Sequence, residues 1–326
     1  MNPAYLEVLT ASPLPALQEG EDAALAYFVR RDLLGETVPA TETLWELPDA
    51  VRLIQSQRPD GSWRYAGKTD TPRQNYSLLE TYRNLRVLVE QYRFTRAQPG
   101  LHRAAGYVFS CQQPEGDIRG IIGNQYMPYY HGAILELLIK AGYTADPQVI
   151  LGLEWLLSMR QEDGGWIVPA QAVPSKQRTD EFWLGEPLPP DRSRPHAHLA
   201  TGMVLRAFAA HPSYRRRPEV IAAGERLKTR FFEADRYNDR KAKAYWFKFQ
   251  FPFWWSNLLS ALDTLSRLGF NREDAEIARG LAWFGDNQDE DGLWPTGYGQ
   301  GKKAPANRRW VGLAICRVLN RFYEET

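Results

Sequence analysis

Cysteine is almost missing. Cys111 and Cys316 are the only two in 326 residues, and both sit in apolar stretches, "YVFSCQQ" and "LAICRVL". That placement suits buried thiols. With no CxxC pair and no Cys/His ladder, no metal site is expected. Net charge is missing as well: 40 Lys and Arg stand against 39 Asp and Glu. The whole molecule therefore has no pull toward nucleic acid or an anionic bilayer, and no nucleic-acid partner is expected. No apolar run approaches membrane-spanning length. No Lys or Arg precedes Arg30, and no long apolar core follows the first Met, so a secretory leader is not expected and a cytoplasmic protein is. Strand patterns are negligible. "GYGQGKKAPANRRW" is Gly-rich but lacks the spacing of a phosphate loop. No cofactor motif is found, and the oligomeric state stays open.

Aromatics are plentiful, at 13% with eleven Trp. Three of the Trp end one recurring phrase. "QRPDGSW" runs from Gln57 to Trp63, "RQEDGGW" from Arg160 to Trp166, and "NQDEDGLW" from Asn287 to Trp294. A fourth copy, "CQQPEGDI", has Ile118 in the Trp position. Gly after an acid, beyond an apolar-periodic segment, reads as a helix stop in the left-handed conformation.

Prolines supply the second punctuation. Pro72, Pro128, Pro195, Pro252 and Pro305 each open a long apolar-rich helical pattern, at steps of 56, 67, 57 and 53 residues. Pro15 lies about one step earlier. Proline is favoured in the first helical turn, where its missing N–H has no partner to lose. Between the prolines lie second helices that run up to the Gly turns. In the fourth unit Asp239 replaces the Gly. The Gly-to-Pro gaps are 11, 12 and 13 residues, but 31 between Gly164 and Pro195. Residues 167–194 are thus an inserted, Pro-rich long loop over one mouth of the fold. A helix pair repeated about every 55 residues marks a solenoid or a closed array. The Pro-led helices are apolar around more of their circumference, as an inner ring requires; the Gly-ended helices carry a single apolar stripe, as an outer ring does. The expectation is an all-α single domain over 1–326, with an inner parallel ring and an outer antiparallel ring of about six helix pairs.

The Gln–acid–Gly–Trp turns resemble the QW motif of the terpenoid cyclases and the related turns of protein prenyltransferase β subunits. The resemblance spans nearly the whole chain as a repeat and is strongest at Gln57–Trp63, Gln161–Trp166 and Gln288–Trp294. It implies an α/α toroid in which the Gln stacks on the Trp and ties one helix pair to the next. The chain departs from these families at their chemistry. It has no Asp-x-Asp-Asp proton donor; "DEDG" at Asp289–Gly292 is the repeat turn itself. Neither cysteine has the Asp two places before it that the zinc site of the β subunits needs. The Asp-rich DDxxD of class I synthases and the thioester Cys–Gln of complement-type toroids are absent.

A toroid gathers its inner-helix N-termini at one mouth. Three residues beyond each Pro stand Asn75, His131, His198, Trp255 and Arg308, with Arg73, Tyr76, Tyr129, Tyr130, His196, Trp254, Arg309 and Trp310 around them. Further along the same stripe come Leu79, Leu135, Leu138, Leu205, Leu259 and Leu262. An apolar cavity capped by convergent polar and aromatic groups is the pattern of a ligand site, and helix N-termini add positive potential there. Each of these side chains could equally cap a helix. The expected substrate-binding set is Asn75, Tyr76, Tyr130, His131, His196, His198, Trp254, Trp255, Arg308 and Arg309. Lys302 and Lys303 extend the basic side of the mouth. If an acid protonates an alkene it must be desolvated and aimed at the double bond; Asp70 and Asp180 are the candidates by position, although helix capping and loop solvation suit them too. "AYWFKFQFPFWWSNLL", Ala244–Leu259, can line a cavity, stabilise a cation, or touch a membrane surface weakly; core packing is its plainest role.

Three functions fit this pattern. The first is an isoprenoid cyclase or isomerase acting on a small apolar or prenyl substrate through a non-standard acid. The second is a non-catalytic binder of a prenyl lipid or a protein on a decayed cyclase toroid. The third is a sugar-active enzyme of the polysaccharide-lyase kind. A dry aromatic chamber on the axis would favour the first, and a filled barrel would disfavour both catalytic readings.

Overall fold

A computed structural model of the chain describes residues 8–69, 74–237, 240–298, 301 and 303–324. Asp70, Pro72, Arg73, Asp239 and Lys302 lie outside the described residues. The protein is all-helical; the described residues contain no strand, only two isolated bridges at Gln112–Ile118 and Gly120–Gly123. The inner helices are α2 (Ala23–Phe28), α4 (Tyr76–Tyr92), α6 (Pro128–Leu138), α9 (His198–Ala210), α11 (Leu258–Arg267) and α13 (Ala304–Tyr323). The outer helices are α1 (Leu14–Gln18), α3 (Pro48–Gln55), α5 (Pro99–Ser110), α7 (Pro147–Ser158), α10 (Pro218–Lys228) and α12 (Ala275–Asp286). The one-turn α8 (Asp180–Leu184) lies in the inserted loop.

The inner helices touch in the order α2, α4, α6, α9, α11, α13, and α13 returns to α2, so the ring is closed. They run parallel. Trp310 and Arg317 of α13 meet Asp22 and Asp32 at the two ends of the first inner segment. Tyr130 and Lys140 meet Tyr82 and Glu90 in the same order. Helices α6 and α9 come closest: a Cβ added to Gly132 would lie 2.8 Å from the Cα of Val204.

The Gly turns hold the rings together. The outer helices end at Gln55, Ser110, Ser158 and Asp286, well before Gly61, Gly116, Gly164 and Gly292, so these glycines are not helix caps as expected. Each instead closes a tight turn, its N–H bonded to the carbonyl three residues back: Arg58, Gln113, Gln161 and Asp289. Gly61 and Gly292 need both their positive φ and their missing Cβ, which would lie 2.2 Å from the Arg103 carbonyl oxygen and 2.4 Å from that of Ser12. The indoles of Trp63, Trp166 and Trp294 are buried, and each N–H donates to a carbonyl of its own outer helix: Leu53 (2.8 Å), Leu156 (2.6 Å) and Phe284 (2.7 Å). The Gln side chains bond across units. Gln57 Nε2 donates to Gly61 and, in the next outer helix, Gly100; Gln112 Nε2 likewise reaches Gly116 and Gln148. Gln161 is the exception, since it donates to Asp191 and Arg194 of the insertion.

The prolines mark the units, but not by the mechanism inferred from them. Proline occupies the first turn of the outer helices α1, where it is Pro15, α3, α5, α7 and α10, while among the inner helices only Pro128 and Pro305 do so. Helix α9 starts after Pro195, at His198, its first N–H groups received by Asp235 from a later loop. Helix α11 starts six residues after Pro252, with Asn257 and Ser260 forming a capping box. The helix expected from Pro15 breaks at Gly20 into α1 and α2. The insertion folds onto the loop before α6: Trp183 and Gly185 carbonyls accept from Asn124, and Phe182 and Glu186 carbonyls from Gln125.

Candidate functional site

Pro252 opens no helix because the chain there enters the ring. Phe249–Ser256 is an irregular stretch lying between the inner helices. Irregular backbone in a core needs donors for its carbonyls. Two buried arginines, from the inner helices on either side of α6, supply them. Arg86 of α4 donates through Nε to Phe253 O at 2.8 Å and through Nη2 to Pro252 O. Arg206 of α9 donates to Trp254 O at 3.2 Å and Phe253 O at 3.4 Å. Asn307 of α13 accepts from Phe251 N at 3.1 Å and donates to Phe249 O at 3.4 Å. The side chains complete the filling. Trp254 lies under the Arg86 guanidinium at 4.5 Å and edge-on to Tyr82, while Trp255 stacks on Tyr129 and packs on Tyr130. Burial pushes Arg86 down to about 10, Arg206 adding to the effect, and burial raises Tyr82 and Tyr130.

Below this plug the interior is ionic. Arg206 pairs with Glu136 at 2.6 Å, both 2% exposed, and Glu136 pairs with Lys140 at 2.7 Å. Lys140 also reaches Glu90 at 2.5 Å, and Asp263 is shared by Arg267 and Arg321. The leucines of the expected stripe are buried, and Leu135 and Leu262 lie against Gly152 and Gly280 of the outer helices. These charged residues carry a faint sequence signal: Tyr82/Arg86/Glu90 and Glu136/Lys140 recur at four-residue spacing inside apolar helices.

A cavity of about 840 Å³ lies off the axis. It opens at the seam between α4 and α13, where the short α2 leaves the ring incompletely filled. Asn84, Val87 and Gln91 line one wall, from one face of α4; Lys303, Ala304 and Asn307 line the other. Arg86, Phe251, Pro252 and Trp310 border its inner end, and the exposed Asp49–Arg52 pair (2.8 Å) its outer rim. Asp22 also faces it, but both carboxylate oxygens are engaged: Oδ1 accepts from Leu25 N at 3.0 Å and Oδ2 from Trp310 Nε1 at 2.9 Å.

Of the residues expected at the mouth, the fold brings together Tyr130, Trp254 and Trp255, around the plug. The others disperse. Asn75 caps α4 through Leu78 N and lines a separate hollow of about 360 Å³; Tyr76 faces Tyr65 in another of about 480 Å³. His131 spends both nitrogens on backbone: Nδ1 accepts from Ile118 N at 3.0 Å and Nε2 faces Gly152 O at 3.1 Å, and burial pushes it down to about 4. It stands where Thr81 and Thr201 accept from Trp63 N and Trp166 N. His196 bonds Asp163 at 2.8 Å, with its pKa lowered by burial. His198 stacks on Trp246 at 4.5 Å and is pushed down to about 4, again by burial. Arg308 grips Asp289 and Asp291 of the last turn. Arg309 lies against Gly20, lining a small hollow with Arg308. Asp180 is the exposed first residue of α8.

No family model matches the chain, and no curated protein matches its sequence. Solved structures that are similar to it include the following two. A crystal structure of a protein from Actinoplanes is 14% identical, with a TM-score of 0.46, covering 92% of this chain and 89% of that one. The type II terpene cyclase MstE from Scytonema, bound to its product merosterolic acid A, is 14% identical with a TM-score of 0.44, covering 98% of this chain and 94% of that one. At these values the likeness carries nothing about the site, and the ring rests on its own helix contacts.

Proposed function

We propose that the chain binds an apolar or amphipathic ligand of the isoprenoid class without cyclising it, in the seam cavity between α4 and α13. One observation carries this reading: the axis, where cyclisation would need a chamber, is occupied by Phe249–Ser256 under the hold of Arg86 and Arg206. The ion pairs beneath it are a poor surround for a carbocation that must be kept dry. Asp22, which faces the cavity, accepts on both oxygens and so is not arranged as a donor to an alkene. The cavity itself suits a ligand: its volume falls in the range of small-molecule sites. Leu53, Val87, Tyr92, Phe251 and Trp310 offer apolar surface, and Asn84, Gln91 and Asn307 offer polar anchors.

The test is to titrate the protein with squalene and with geranylgeranyl diphosphate, following tryptophan emission, and to analyse the recovered ligand by mass spectrometry. The expected result is saturable binding with the ligand recovered unchanged, weakened by Val87→Trp, which projects an indole into the cavity from α4. A cyclised product would overturn the non-catalytic reading; its loss in Asp70→Asn or Asp180→Asn would then identify the acid.

A further inference from the structure

The opposite mouth of the ring, where the inner helices end, gathers positive charge around a single phenyl ring. The guanidinium carbons of Arg31, Arg93 and Arg317 lie 4.9, 5.4 and 4.7 Å from the buried Phe28 ring. Asp32 is the carboxylate in this group, and it is shared by Arg31 at 2.5 Å and Arg317 at 2.7 Å. Beside it, Asp263 serves Arg267 and Arg321, and Glu90 serves Lys140. Lys140 is also shared with Glu136, which pairs with Arg206; seven cations thus face four carboxylates, an excess of three positive charges. The side chains of Arg31, Arg267 and Arg321 keep 32%, 39% and 26% of their exposure, so solvent reaches them.

Arg93 is the centre of this group and its least satisfied member. Among the described residues its guanidinium has no carboxylate within 4 Å and no hydrogen-bond acceptor, while its carbonyl takes the Trp45 indole N–H. Burial lowers its pKa and the like charges of Arg31 and Arg267 add to this, while the carboxylates of Glu90 and Asp32 oppose it in part. Its backbone is unusual too. Arg93 is the residue just past α4, at φ 54° and ψ 35°, the left-handed conformation that glycine or asparagine ordinarily takes there. Attraction to the negative ends of the inner helices accounts for cations in the last turns. It does not account for a bulky arginine in a strained position.

We infer that this mouth is a binding site for a ligand bearing two or more phosphate groups, with Arg93 as its central contact. Guanidinium forks match phosphate oxygens in pairs. Two phosphate groups bring about three negative charges, which matches the excess. The seam cavity adjoins this cluster, since its lining includes Tyr92, the neighbour of Arg93, and Trp310, which packs edge-on to Phe28 at 5.9 Å; the inference rests on the clustered charges and not on the function proposed for that cavity.

The test uses the full chain and inorganic pyrophosphate in isothermal titration calorimetry, with a parallel arm of vesicles containing phosphatidylinositol bisphosphate or only phosphatidylcholine. Saturable pyrophosphate binding that weakens with salt is expected. Arg93→Gly restores the ordinary residue for this backbone, so folding is preserved while affinity falls by about tenfold or more. Arg267→Gln lowers affinity in the same direction. Uptake by the phosphoinositide vesicles, displaced by pyrophosphate, would assign the phosphate to a lipid headgroup; binding of pyrophosphate without uptake would assign it to a soluble ligand. No saturable binding in either arm, or an Arg93→Gly protein that binds like the wild type, overturns the proposal.

Discussion

Gln288 joins the end of the chain to its beginning. Its Nε2 donates to Ala11 O at 2.8 Å and to Gly292 O at 2.7 Å, and its Oε1 accepts from Ala11 N at 3.0 Å and Thr10 N at 2.9 Å. The bond is the one Gln57 and Gln112 make between successive units, used here to shut the ring. Gln288→Ala should lower unfolding free energy by about 1–2 kcal/mol, because backbone groups lose their partner on both sides of the seam. Urea unfolding measures it. An unchanged midpoint would show that the ring is closed by helix packing alone.

The indole N–H of each turn is a second repeated bond. Trp294→Phe keeps the buried ring but leaves Phe284 O without its donor. A loss of about 1–2 kcal/mol is expected. Trp294→Ala also opens a cavity and should cost about 3–5 kcal/mol. A Phe variant as damaging as the Ala variant would mean that the hydrogen bond, and not the ring, carries the contribution.

Arg86 decides whether the plug stays in the ring. Arg86→Met removes the donor from the carbonyls of Pro252 and Phe253 and the cation from the face of Trp254. The Pro252 carbonyl left unpaired costs about 1–3 kcal/mol, while Phe253 O keeps Arg206 as a donor at 3.4 Å. The expected outcome is lower stability together with a shift of Trp emission toward that of wetter indole. Lower stability with unaltered emission would place the effect elsewhere than in the plug.

His131 makes the fold acid-sensitive. Its folded pKa is pushed down to about 4 by burial, below the ordinary value of 6.5, so the native state refuses a proton that the unfolded chain accepts. Stability is therefore complete above the unfolded pKa and falls as pH drops from about 6.5 toward about 4, by about 1.4 kcal/mol per pH unit at most for this one group. His131→Thr imitates Thr81 and Thr201, which accept the equivalent backbone N–H in their own units. It should reduce stability at neutral pH through lost volume, yet flatten the decline in acid. Urea midpoints measured at several pH values separate the two effects.

The dispersal of the expected mouth residues has a physical cause. Asn75, His131, His198, Trp255 and Arg308 share a position in the repeat, and that much can be counted along the chain. What they face depends on how each helix is rotated and where its first turn begins. Helices α9 and α11 start later than Pro195 and Pro252 suggest, because Asp235 and the Asn257 capping box set their first turns. His131 points outward to Gly152, and Arg308 is held by the last turn. The inward set, Arg86, Glu90, Glu136, Arg206 and Asp263, shows in the sequence only as charges embedded in apolar helices.

Proline and glycine spacing, together with the Gln and Trp of each turn, determined by themselves that this is an array of helix pairs, since those signals act between residues near in the chain or one unit apart; its closure into a ring is made by α13 against α2 and by Gln288. The tertiary structure alone decided what fills the ring. The stretch at Phe249–Ser256 folds inward because Arg86, 167 residues away from Phe253, donates to its carbonyl, and Arg206 converges on the same carbonyl from the far side of α6. Irregular backbone can be buried only where such distant donors meet it, and no local pattern records where they are.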